Sequence, residues 1–138
     1  MTDIAPSPLD SNVLLRHLTD EPREQAERAR AFIGSAPVDS LLLLDLHVAE
    51  LVYVLGTVYG CPRDEVATMV RGALALPSII VEHDRLVRRT LDLFEERHMH
   101  WADAYLVAAA EDRGLPTVVS FDQFDATLKG LSIRREEP

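Results

Sequence analysis

Carboxylates are the residues of this chain best placed for chemistry, and four of them stand near expected strand-to-helix junctions. Asp10 follows a short first strand, and Glu50 lies on the helix after the second. Asp103 falls in the first turn of a later helix, and Asp122 follows a strand over Thr117–Val119. Three of them have a bland structural explanation when taken singly: Asp10 as an N-cap, Asp103 as a first-turn acid, Asp122 as a turn residue. Glu50 is the hardest to dismiss in this way, because it interrupts the apolar pattern Val48-Ala-Glu-Leu-Val. Functional groups of open α/β sheets gather at the carboxyl ends of the strands, which is where all four are expected. Carboxylates crowded in this way repel one another and titrate as a coupled set at raised pKa values. Hard divalent cations prefer such oxygen ligands.

The elements that must position these acids follow from hydrophobic pattern and turn chemistry. Pro6 and Pro8 limit the first strand to a short one, and Asp10 or Ser11 can cap a helix whose apolar face is Val13, Leu14 and Leu18. Pro22 opens a second helix through Phe32-Ile33, stopping at Gly34. The run Ser40–Asp45 reads as a strand buried on both faces, followed by a helix with Val48, Leu51, Val52 and Leu55 at helical spacing. Pro62 begins a helix to about Ala75, Leu76–Val81 gives another strand, and Asp84 caps a helix carrying Leu86, Val87, Leu91, Leu93 and Phe94. A helix from about Trp101 to Arg113, a Gly-Leu-Pro turn and the strand Thr117–Val119 come next. Phe121–Gly130 is expected as a loop or short helix, Leu131–Ile133 as an edge strand, and Arg134–Pro138 as a charged tail. Alternating strands and helices predict a three-layer α/β/α domain with a mostly parallel sheet.

The 138 residues are expected to form a single domain with its core over about 9–133. The 47% hydrophobic and 27% charged fractions are those of a globular protein, and one cysteine rules out an internal disulfide framework. No apolar run approaches the ~18 residues of a membrane span, and the N-terminus lacks a signal-peptide pattern, so a cytoplasmic protein is expected. A net charge of −9 argues against a generally basic nucleic-acid binder. It leaves room for an enzyme that grips phosphates locally, since a metal-loaded acidic site reverses its own sign.

Four segments resemble, in order, the motifs of PIN-domain nucleases. These are Asp10-Ser-Asn-Val-Leu-Leu-Arg, Val48-Ala-Glu-Leu-Val-Tyr-Val-Leu, Trp101-Ala-Asp-Ala-Tyr-Leu-Val-Ala-Ala-Ala and Thr117-Val-Val-Ser-Phe-Asp122. The length and the opening motif most resemble the VapC toxins of bacterial toxin–antitoxin pairs. The resemblance implies a Mg²⁺- or Mn²⁺-dependent endoribonuclease that hydrolyses RNA phosphodiester bonds with a metal-activated water, leaving a 5′-phosphate and a 3′-hydroxyl. It implies Asp10, Glu50, Asp103 and Asp122 as catalytic acids and metal ligands. Ser11, Asn12 and Ser120 would orient an acid or a water, and Arg16 would contact the RNA backbone. Family members often carry another acid two residues after the fourth; that position is Phe124 here, with Asp125 following, so either Asp125 substitutes or Asp122 serves alone. The resemblance also implies a homodimer and a small VapB-like antitoxin that inhibits it. The helices over Arg23–Phe32 and Pro62–Leu74 offer surface for such contacts.

Other features carry less. His47 and Glu50 could form a metal pair but have no second pair to complete a zinc or di-iron site. His98 and His100 read as a solvated helix start, and Cys61 as a cap or partly buried thiol rather than a nucleophile. No phosphate-binding Gly-rich loop or Gly-x-Ser-x-Gly elbow occurs. The alternatives are a catalytically silent PIN-fold module that binds RNA or a partner, and an acid-cluster phosphohydrolase acting on small phosphoesters.

Overall fold

The structure, a computed structural model, describes residues 5–138. The chain divides into two compact units, one ending at Asp84 and the other beginning at Arg85.

The first unit contains β1 (Ser7–Pro8), α1 (Ser11–Leu18), α2 (Arg23–Ser35), β2 (Leu41–Leu43), α3 (Asp45–Tyr53), α4 (Arg63–Leu74) and β3 (Ile79–Val81). Its sheet is parallel throughout, in the order β1-β2-β3. The prolines around β1 are explained by this order. Ser7 and Leu9 donate their N–H groups to the Ser40 and Leu42 carbonyls at 2.9 and 2.8 Å, and β1 is an edge strand. Pro8 falls between these two donors, where a ladder donor would point away from β2, so its missing N–H costs no hydrogen bond. Leu14, Leu43, Val48, Leu51, Leu55, Val66 and Val70 are almost wholly buried. Full burial of one such side chain contributes about 1.5–3 kcal/mol, whereas exposed i,i+4 ion pairs such as Arg23–Glu27 contribute about 0.3–0.5 kcal/mol. Packing, not surface charge, holds this unit together.

One departure from the regular helix expected after β2 is a π-helical turn over Val54–Val58 that continues α3. Tyr59 N–H reaches back to the Val54 carbonyl at 3.1 Å, and Gly60 at φ 67° takes the left-handed conformation that ends the helix. The widened turn still buries Leu55 completely.

The second unit holds nearly all of α5 (Asp84–Glu96), with α6 (Trp101–Asp112), β4 (Thr117–Val119), a 3₁₀ turn at Asp125–Leu128 and β5 (Arg134–Glu136). Leu86, Val87, Thr90, Leu91, Leu93 and Phe94 form the buried face of α5. The buried Thr90 hydroxyl is satisfied by the Leu86 carbonyl at 2.8 Å. Arg89 grips Glu111 at 2.8 and 3.1 Å, tying α5 to the end of α6, and Phe94 meets Trp101 edge to face at 5.9 Å.

The last strand lies three residues later than its expected place at Leu131–Ile133. The charged residues Arg134–Glu136 pair in parallel with Thr117–Val119. The ladder needs only main-chain groups, and a charged edge strand keeps its side chains in water or in ion pairs. Arg135 does the latter. The parallel strands and abundant helices accord with the expected α/β class.

Candidate active site

In the first unit, the start of α1 and the middle of α3 are joined through Ser11. Asp10 caps α1 with φ −69° and ψ 138°, and its Oδ1 accepts the Asn12 N–H at 2.9 Å. The capping role and exposure of the carboxylate are therefore compatible. Ser11 is only 3% exposed, and its hydroxyl donates to Glu50 Oε1 at 2.6 Å across 39 positions of sequence. Glu50 interrupts the apolar pattern of α3 because it lies on the exposed side of that helix, while Val48, Leu51 and Val52 face inward. A short hydrogen bond to a charged oxygen fixes the orientation of this carboxylate. Arg16, one turn beyond Asn12, is held by Gln25 of α2 at 2.9 Å.

In the second unit, Asp103 sits in the first turn of α6 and is 8% exposed. Burial pushes its carboxyl pKa up, the nearby charge of Asp122 pushes it further in the same direction, and His100 opposes them. The helix N-terminus favours an anion here, yet burial outweighs it. Asp122 is exposed in the turn after β4, where its N–H donates to Ser120 Oγ at 3.0 Å. Asp125 is otherwise occupied: its Oδ2 accepts from Arg135 Nε at 2.9 Å, and the same guanidinium donates to the Ser120 carbonyl at 2.6 Å. Arg135 was expected in a tail. Its alternation within a paired strand is the signal that could have placed it.

A further group escaped sequence reading. Asp45 opens α3 one residue past β2, Glu82 and His83 follow β3, and their ligand-type atoms lie within 4.8 Å of one another. Glu82 Oε1 accepts the Asp45 N–H at 3.0 Å, which caps α3 where Leu44 cannot, and His83 Nδ1 lies 2.7 Å from Asp45 Oδ2. Carboxylates just after two parallel strands were the available signal. His47 and Glu50 are not part of this group. His98 and His100 are exposed, as expected of a solvated helix start. The Cys61 thiol pKa is raised by burial and by Glu65, the opposite of what a nucleophile needs.

A family model described as "PIN domain" matches residues 9–124, and the chain belongs to that family. PIN domains are generally nucleases and usually use divalent metals. No curated protein matches the sequence. Among solved structures, the chain is similar to VapBC2 from Rickettsia felis, crystallised bound to a DNA fragment from its promoter. That likeness has 14% identity over 94% of this chain and 96% of that one, with a TM-score of 0.36. Among the described residues, no helix is long and apolar enough to cross a membrane.

Proposed function

We propose that this protein is a metal-dependent endoribonuclease, the VapC-like toxin of a toxin–antitoxin pair, with Asp10, Glu50, Asp103 and Asp122 as its catalytic acids. The observation that carries the proposal is Asp103, a buried carboxylate whose ionisation is disfavoured by burial and by a second acid. Such a group is costly unless a cation offsets it. A single family match over 9–124, which contains all four acids, supports treating them as one set and the chain as one PIN-like domain.

The donor set fits Mg²⁺ or Mn²⁺, being carboxylates without thiolate. When bound, such an ion supplies an acidified water and positive charge for the phosphate oxygens. The remaining work falls to the chain. Ser11 holds the Glu50 carboxylate in one orientation, and Asn12 does the same for Asp10 through its main-chain N–H. Ser120 shapes the turn that presents Asp122. Asp125 is engaged by Arg135, so Asp122 serves as the fourth acid alone. Arg16 contacts the RNA backbone. The products carry a 5′-phosphate and a 3′-hydroxyl. A homodimer, a cytoplasmic location and inhibition by a VapB-like antitoxin complete the proposal.

The test is cleavage of RNA by the purified protein with Mg²⁺ or Mn²⁺, beside Asp10→Asn and Asp103→Asn. Cleavage by wild type that both substitutions abolish is the expected outcome. Equal cleavage by all three proteins removes the site assignment, and metal binding without any cleavage replaces the enzyme with a silent binding module.

A further inference from the structure

A groove of about 720 Å³ runs between α1 and α2 in the first unit, opening beside Asn12, the residue whose N–H holds Asp10. Its α1 wall carries Asn12 and Arg16, and its α2 wall carries Gln25, Arg28 and Phe32. Positions 25, 28 and 32 share one face of α2 by their three- and four-residue spacing, and positions 12 and 16 do so on α1. The lining holds two arginines and no carboxylate, although the chain as a whole has a net charge of −9. The Arg16 Nε donates to the neutral Gln25 side chain, and Arg28 makes no ion pair with another described residue. Phe32 is 56% exposed at the far end of the same face, so an aromatic ring is left open to water beside a cation.

We propose that this groove is the track for single-stranded RNA leading from the cleavage position, a role that presupposes the nuclease function. Arg28 binds a phosphate one step beyond the phosphate held by Arg16, and Phe32 stacks under an unpaired base. Charge decides the occupant. An anionic strand gains two guanidinium contacts in a place where an otherwise acidic surface would repel it, and it brings the flat face that an exposed phenylalanine can cover. Gln25 keeps the Arg16 fork aimed into the groove without neutralising it. Arg28 and Phe32 are positioning and strand-holding residues, not catalytic ones.

Two measurements on the full chain test this. The first is fluorescence anisotropy with a labelled oligo-uridine 12-mer, using wild type, Arg28→Glu, Phe32→Ala and, as a control on the exposed Arg23–Glu27 pair of α2, Arg23→Glu. Binding should weaken about tenfold or more for Phe32→Ala and for Arg28→Glu, with a shallower salt dependence for the latter, and stay within twofold for Arg23→Glu. The second is the RNA cleavage assay, where both groove variants should raise KM by a similar factor and leave kcat within twofold. If wild type binds the oligonucleotide through Arg28 and Phe32 but does not cleave RNA, the groove stands and the nuclease function falls. If wild type cleaves RNA and both variants bind and cleave as it does, the groove assignment is overturned and the surface is left to a protein partner. Failure of wild type to bind RNA under any condition overturns both.

Discussion

The acids of the first unit and the buried acid of the second sit in opposite surroundings. Asp10 and Glu50 are exposed, and each receives a hydrogen bond, Asp10 from the Asn12 N–H and Glu50 from the Ser11 hydroxyl. Asp103 is buried beside the charge of Asp122, and its ionised form is disfavoured. The first pair is therefore oriented by its donors. In the second, burial and a neighbouring charge act on Asp103 instead. The same residue type at the start of a helix thus does two jobs, decided by burial and neighbours rather than by helix position.

Three predictions can break this contrast. The largest effect is expected at Asp103. Asp103→Asn should lower kcat/KM by more than the ~10–100-fold typical of losing an outer-shell partner, while Ser11→Ala should fall within that range. Recovery by Ser11→Thr would show that the hydroxyl acts by orienting Glu50. Equal losses from Asp103→Asn and Ser11→Ala would erase the distinction between the two units.

A smaller effect concerns stability against pH in the metal-free protein. Because the folded state raises the Asp103 pKa, its contribution is most favourable below the unfolded carboxylate pKa and is lost as pH rises through the folded value. At neutral pH the ionised group is a cost. Asp103→Asn should therefore unfold at a higher temperature than wild type in EDTA at pH 7, with the gap closing as the solution is acidified through the carboxylate range. Added Mn²⁺ should raise the melting temperature of wild type more than that of the variant. A variant less stable than wild type in EDTA at pH 7 would contradict the account of Asp103.

The smallest effect is expected at Asp125. Its ion pair with Arg135 is solvent-exposed on the acid's side, so Asp125→Asn should cost less than about 1 kcal/mol in denaturant unfolding and change kcat/KM by less than twofold. A loss of activity comparable with that of Asp122→Asn would return Asp125 to the catalytic set.

Much of this was legible in the chain itself, because caps, strand runs and helix starts are local. Asp10 as an N-cap, the strand Thr117–Val119 and the helix beginning at Trp101 follow from neighbouring residues, and all appear as expected. The shift of the final strand from Leu131–Ile133 to Arg134–Glu136 was not legible, because hydrophobicity marks buried faces whereas pairing depends on main-chain groups. Nor did the apolar spacing after Val48 reveal the π-helical turn, since Leu55 is buried in either geometry.

By itself the sequence determined which acids stand at which helix starts and strand ends, since capping and periodicity act over a few residues. Only the tertiary structure decided what surrounds them. It brought Ser11 to Glu50 across 39 positions, committed Asp125 to Arg135, and left Glu50 exposed while Asp103 was buried. Those outcomes depend on solvent exclusion and on charges brought close by packing, and neither is written in the spacing of residues along the chain.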